Sequence, residues 1–146
     1  DNIFLEGPAE SIRIIDFGLA GGRSGSEHDS ARLTVDGAVV GTPAYMPPER
    51  IGEESLDATS DLFGLGVVLY ELMAGRLPFE GHTIVSMLAS IARGTPIPLA
   101  SAVPSAPAPV CDLVMQLIAH RREDRPESAA AVAAAFGQLE RRFTEA

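Results

Sequence analysis

Ser60-Asp61-Leu62-Phe63-Gly64-Leu65-Gly66-Val67-Val68-Leu69-Tyr70-Glu71-Leu72-Met73-Ala74-Gly75 is the stretch on which the fold turns. It predicts a helix over residues 60–74. Ser60 suits the N-cap, Asp61 favours the first turn, and Gly75 supplies the stop. Inside it, Leu62, Phe63, Leu65, Val67, Val68, Leu69, Leu72 and Met73 cover nearly the whole circumference. Such a helix is expected to be buried on most faces, at the centre of a helical body.

Towards the C-terminus, residues 83–93 predict a second helix, closed by Gly94. Residues 95–109 carry five prolines and predict an extended connection. A third helix is expected over 110–119, with Val110, Leu113, Val114, Leu117 and Ile118 on one side. Pro126 opens a fourth, over 127–142, rich in alanine and closed by arginines. Towards the N-terminus, Gly41-Thr42-Pro43 and Pro47-Pro48 leave room only for short helical turns. Residues 18–36 are rich in Gly, Ser, Asp and Arg, a loop composition with little to bury. Asn2–Leu5 and Ile12–Ile15 are short β-branched runs separated by Gly7-Pro8, which predicts a strand pair. No internal repeat is visible. The fold class expected is α+β and mainly α-helical.

Composition narrows the function. The 146 residues are 46% apolar, so a modest core is available and a disordered polyelectrolyte is excluded. The net charge of −9 argues against nucleic-acid binding, which needs a basic face. All 11 basic residues are arginine; there is no lysine. Cys111 is the single cysteine and His28, His82 and His120 are scattered, so neither an internal disulfide nor a cysteine- or histidine-rich metal site is expected. One cysteine fits a reducing, cytoplasmic setting. The longest apolar run, 62–70, falls far short of the ~20 residues of a membrane span. Residue 1 is aspartate, and the chain reads as a piece of a longer polypeptide.

Asp16-Phe17-Gly18 follows an apolar strand. A carboxylate at a strand end, before a glycine that relaxes the backbone, can offer a hard oxygen to magnesium. Alone, the triplet is an ordinary exit from a strand, and Asn2 alone is a turn residue. The order of motifs changes that reading. Gly41-Thr42-Pro43-Ala44-Tyr45-Met46-Pro47-Pro48-Glu49 comes next, then Asp61-Leu62-Phe63-Gly64-Leu65-Gly66, then Asp124-Arg125-Pro126.

With these motifs in this order, the chain resembles a bacterial eukaryotic-like (Hanks-type) serine/threonine protein kinase. The resemblance covers essentially the whole chain, but only the C-terminal lobe of that family's catalytic domain. It implies a protein kinase-like fold without its N-terminal lobe: a partial domain over 1–143, an activation segment over 16–49, and a tail over 144–146. It implies ATP and Mg2+ as cofactors and a protein bearing Ser or Thr as substrate. Asn2 and Asp16 would be the magnesium and cofactor-binding residues, with Asp16 holding the ion against the ATP phosphates. Phe17 would pack beneath Asp16, and Gly18 would let the loop switch. Thr42 resembles the threonine of the substrate-docking loop. Ser24, Ser26, Ser30 and Thr34 are candidate phosphosites, Thr34 and Ser30 foremost, although any one hydroxyl more often simply solvates a loop.

Three further residues take structural roles by the same resemblance. Glu49 and Arg125 would form a buried ion pair, and Asp61, expected to be buried, would tie down the backbone of the catalytic loop. Two departures stand out: Pro47-Pro48-Glu49 replaces the common Ala-Pro-Glu, and His120-Arg121-Arg122-Glu123 stands where relatives often have Lys-Asp-Pro-Glu.

The family's catalytic aspartate precedes the metal-binding asparagine by about five residues, which places it upstream of Asp1. The phosphate-covering glycine loop and the ATP-anchoring lysine with its glutamate partner belong to the missing N-terminal lobe. The expectation is a fragment of a kinase, inactive by itself, from a cytoplasmic parent for which a membrane anchor is left open. A non-catalytic, kinase-derived interaction module is the alternative. Without the helix that precedes the catalytic loop in the family, an exposed apolar patch and aggregation are expected of the isolated chain.

Overall fold

The computed structural model describes residues 3–6, 11–14, 43–52 and 54–145. These fall into two units, Asp1–Gly41 and Thr42–Ala146. The first holds strands β1 (Ile3–Glu6) and β2 (Ser11–Ile14), paired antiparallel with Ile3 opposite Ile14 and Leu5 opposite Ile12. The second opens with a 3-10 turn, Pro43–Tyr45. Helices α1 (Pro48–Ile51), α2 (Ala58–Ala74), α3 (Ile84–Arg93), α4 (Leu99–Ala102), α5 (Ala108–Leu117) and α6 (Ala129–Thr144) follow, with a 3-10 turn, Arg122–Asp124, before α6. A mainly helical α+β chain is therefore what the described residues form.

Asp57, not Ser60, begins the central helix α2. Its side chain accepts from the Thr59 amide at 2.8 Å, while the Ser60 hydroxyl accepts from the Asp57 amide at 3.2 Å, closing a capping box. Both residues are good caps. The reciprocal bond makes Asp57 the start and moves Ser60 into the first turn. Thr83 and Ser86 form the same device before α3, and Gly94 ends it with φ 63°, a conformation glycine adopts without steric cost.

The proline-rich connection over 95–109 is not extended throughout, because α4 winds one turn inside it. Likewise α5 starts at Ala108, earlier than the apolar pattern indicates, with Pro109 in its first turn. Proline has no N–H to lose there and its fixed φ suits a helix start. Ser128 caps α6 by accepting from the Ala131 amide at 3.1 Å, which delays that helix to Ala129. At its other end α6 runs through Thr144, one residue into the stretch read as a tail.

α2 packs on α5. Phe63, Val67 and Tyr70 meet Cys111, Val114 and Ile118 in one buried cluster, which Phe79, Ile91 and Leu99 complete. Leu62, Leu117 and Val132 form a second, smaller cluster under α6. Gly66 permits the close approach of α2 to α5: a Cβ there would stand 2.6 Å from Leu117 Cβ and 2.7 Å from Ile118 Cγ2. Gly66→Ala should therefore cost about 1–3 kcal/mol through overpacking, measured as a lower urea midpoint. An unchanged midpoint would show that α5 moves aside freely.

Burial of α2 is not all round. On the stripe formed by residues 61, 65, 68 and 72, Leu65 and Val68 are half-buried and Leu72 is 76% exposed. That is the apolar face expected to need cover. No helix among the described residues is long and apolar enough to cross a membrane.

Candidate functional site

α1 is a single turn. Pro48 sits at its first position, where no N–H is required, and Glu49 comes next. The side chain of Glu49 points into the protein and is 3% exposed; Arg125, arriving from the turn before α6, is wholly buried. They meet across 76 positions of sequence as a two-pronged pair, Nη1 to Oε1 at 2.8 Å and Nη2 to Oε2 at 2.9 Å. The Ser60 hydroxyl donates to the same Oε1 at 2.7 Å.

Arg125 spends its remaining donors on three carbonyls: Ala119 at 2.8 Å, Thr59 at 3.1 Å and His120 at 3.2 Å. All five N–H groups of the guanidinium are thereby used. Its plane lies over the Phe63 ring, 5.1 Å from the centroid, and Phe63 in turn stacks on Phe79 at 5.9 Å. Burial alone would raise the Glu49 carboxyl, but the Arg125 and Ser60 hydrogen bonds outweigh it and hold the pKa at about 2. A carboxylate so low and so fully paired does not exchange protons near neutrality. This centre is architecture, not acid–base chemistry.

Tyr45 and Arg122 make further polar contacts. The half-buried Tyr45 hydroxyl donates to Glu71 Oε2 at 2.5 Å, tying the 3-10 turn to the far end of α2. That bond, with burial and the Glu71 charge added, pushes the phenol up to about 12. Arg122 reaches Glu54 at 2.8 Å and Asp57 at 3.4 Å, and its Nε lies 3.9 Å from Glu49 Oε1.

Of the residues singled out in the sequence, the structure brings Glu49 and Arg125 together. Asp61 stands exposed in the first turn of α2 instead of buried; partial desolvation, then the Asp57 charge, raise its carboxyl. The catalytic-loop backbone assigned to it by resemblance is not among the described residues. Asn2, Asp16, Thr42 and the hydroxyls Ser24, Ser26, Ser30 and Thr34 also lie outside the described residues. Among the described residues no group of three or more His, Cys, Asp or Glu could hold a metal ion. Sequence reasoning missed Ser60 as a Glu49 partner, the Tyr45–Glu71 bond and the reach of Arg122. Only Arg122 carried a signal, as an arginine in a departure from the usual pattern.

The protein kinase domain family matches residues 1–136 of the chain. Serine/threonine-protein kinase Pkn1 of Myxococcus xanthus is 36% identical over 134 residues, covering 90% of this chain and 19% of that protein. The DNA damage-responsive serine/threonine-protein kinase RqkA of Deinococcus radiodurans is 41% identical over 124 residues, 83% of this chain and 18% of its own. Serine/threonine-protein kinase PknB of Mycobacterium tuberculosis is 34% identical over 120 residues, 82% and 19%. The chain thus spans about a fifth of the length of the curated relatives it matches.

Proposed function

Because the chain belongs to the protein kinase domain family, in its bacterial serine/threonine branch, we propose that it forms the C-terminal lobe of a kinase that phosphorylates protein Ser and Thr from ATP. We propose further that these 146 residues alone do not catalyse the transfer. What supports the reading most is that the likeness runs along 90% of the chain and does not stop at one motif.

ATP with magnesium supplies the γ-phosphoryl group. The amide oxygen of Asn2 and the carboxylate of Asp16 are hard oxygen donors of the kind magnesium takes, and we assign them to hold it. Thr42 would seat the acceptor segment of a protein substrate, and Thr34 or Ser30 would receive regulatory phosphate. Glu49 and Arg125 fix α1, and with it the end of the chain leading from Thr42. Catalysis of this kind is mainly positioning and charge neutralisation. A polypeptide lacking lysine cannot supply the family's ATP-anchoring cation, which is why the chain alone is assigned no activity.

The test compares this chain with a longer protein carrying a lysine-bearing N-terminal lobe, each incubated with labelled ATP, magnesium and an acceptor protein. The longer protein should label the acceptor, and Asp16→Asn should cut the rate by at least ~100-fold. No label should come from the chain alone. Transfer by the chain alone would overturn the inactivity, and silence from a folded longer protein would overturn the kinase reading. In that second case a soluble, well-folded chain would favour the interaction module.

A further inference from the structure

Arg122 and Arg125 stand at the two ends of one 3-10 turn, with the Arg125 amide donating to the Arg122 carbonyl at 3.0 Å. Arg125 grips the beginning of α1 through Glu49 and the start of α2 through the Thr59 carbonyl. Between those grips, Glu54 and Asp57 are held by Arg122. Its Nη2 bonds Glu54 Oε2 at 2.8 Å, its Nη1 reaches Asp57 Oδ2 at 3.4 Å, and its Nε faces Glu49 Oε1 at 3.9 Å. The Arg122 side chain is 24% exposed, against 65% for Glu54 and 50% for Asp57, so the guanidinium is more buried than the two loop carboxylates it holds.

Both loop residues that Arg122 holds also take part in backbone hydrogen bonds. Asp57 caps α2, with hydrogen bonds from Thr59, then the Arg122 charge, holding its carboxyl low. The Glu54 amide donates to the Glu49 carbonyl at 2.8 Å, and the Gly52 amide to Pro48 at 3.0 Å. The loop is therefore pinned to α1 by its backbone and to the turn before α6 by its side chains. A proline in place of Arg122 could make none of these side-chain contacts.

We propose that Arg122 is a positioning residue: by clamping Glu54 and Asp57 it fixes α1, and so the seat on which the segment carrying Thr42 ends. This rests on the kinase reading for its consequence, which is that affinity for the protein substrate depends on Arg122 while ATP binding does not. Exposed ion pairs contribute modestly; several acting on one short loop should be felt locally.

The experiment uses Arg122→Ala and Arg122→Lys in the longer, N-lobe-bearing protein, with two readouts. By hydrogen exchange, the Gly52 and Glu54 amides should exchange roughly 3–10-fold faster in R122A, with the amides of 67–70 in α2 unchanged. R122K, a point charge able to hold one carboxylate at a time, should fall between. By kinetics, KM for the acceptor protein should rise roughly 3–10-fold, with kcat and KM for ATP within about 2-fold. Raising the salt to about 0.5 M should narrow the gap from wild type.

Unchanged exchange at 52 and 54 overturns the clamp. Faster exchange spread evenly through α2, with kcat falling at constant KM, would mean general destabilisation and overturns the positioning role. Faster local exchange without a change in acceptor KM overturns it equally. A wild-type protein that transfers no phosphate sinks the kinase reading and the substrate consequence with it, while the exchange measurement still decides the clamp.

Discussion

Arg125→Ala should destabilise the helical unit by about 3–5 kcal/mol at neutral pH, because it strands a desolvated carboxylate at Glu49. The same change frees the Ala119, Thr59 and His120 carbonyls, each losing a donor. Lysine at this position should rescue little: it brings the charge but not the planar fork that serves five acceptors. The pH dependence identifies the cause. In the native protein Glu49 titrates at about 2, against an ordinary value of 4.5. A depressed carboxyl contributes stability that is fully present above 4.5 and is lost as pH falls towards 2. In the variant the hydrogen-bonded cation is gone and only Arg122, 3.9 Å away, remains, so burial pushes the same carboxyl up and acid neutralises the stranded charge. The stability difference between the two proteins should therefore shrink from pH 7 to pH 4. Urea midpoints at the two pH values read this directly; an equal gap at both would put the cost elsewhere than in Glu49.

Phe63→Ala should cost a comparable amount, about 3–5 kcal/mol, by a different route. Phe63 is wholly buried, stacks on Phe79 and forms the floor under the Arg125 guanidinium. Removing the ring opens a cavity where α2 meets the Phe79 stretch and takes away the aromatic face beneath the cation, the latter contributing about 0.5–2 kcal/mol. Phe63→Leu keeps most of the volume and loses the aromatic contacts, so it should recover more than half of the loss. Because Phe63 and Arg125 touch, their losses should not add: the double variant should fall short of the sum by at least ~0.5 kcal/mol. Strict additivity in urea unfolding would show that the ring and the guanidinium do not support each other.

Local signals carried much of the fold. The cap-and-stop pairs around α3, Thr83 before it and Gly94 after it, are written in adjacent residues, and that helix lies where the sequence puts it. The start of α2 was not legible, because Asp57 and Ser60 are both good caps and only the reciprocal bond between them ranks one above the other. α4 was hidden by prolines that flank it and do not interrupt it. At the site, Glu49 and Arg125 are linked in the sequence by resemblance alone, since no periodicity connects residues 76 apart. The Tyr45–Glu71 bond and the contacts of Arg122 with Glu54 and Asp57 join residues 26 to 68 positions apart. Polar pairs at such separations leave no trace in a hydropathy pattern; they exist only once the apolar packing of α2 on α5 has brought their backbones close.

The distance in sequence between Glu49 and Arg125 has a consequence during synthesis. At roughly 5–20 residues per second, a ribosome needs about 4–15 s to pass from one residue to the other. For that interval the carboxylate lacks its two-pronged partner, and burying it unpaired would be costly, which disfavours α1 settling against the rest of the unit. The apolar cluster of α2 on α5 is complete by residue 118, but the buried ion pair that fixes α1 is not, so the last closure of this unit follows translation of the turn before α6.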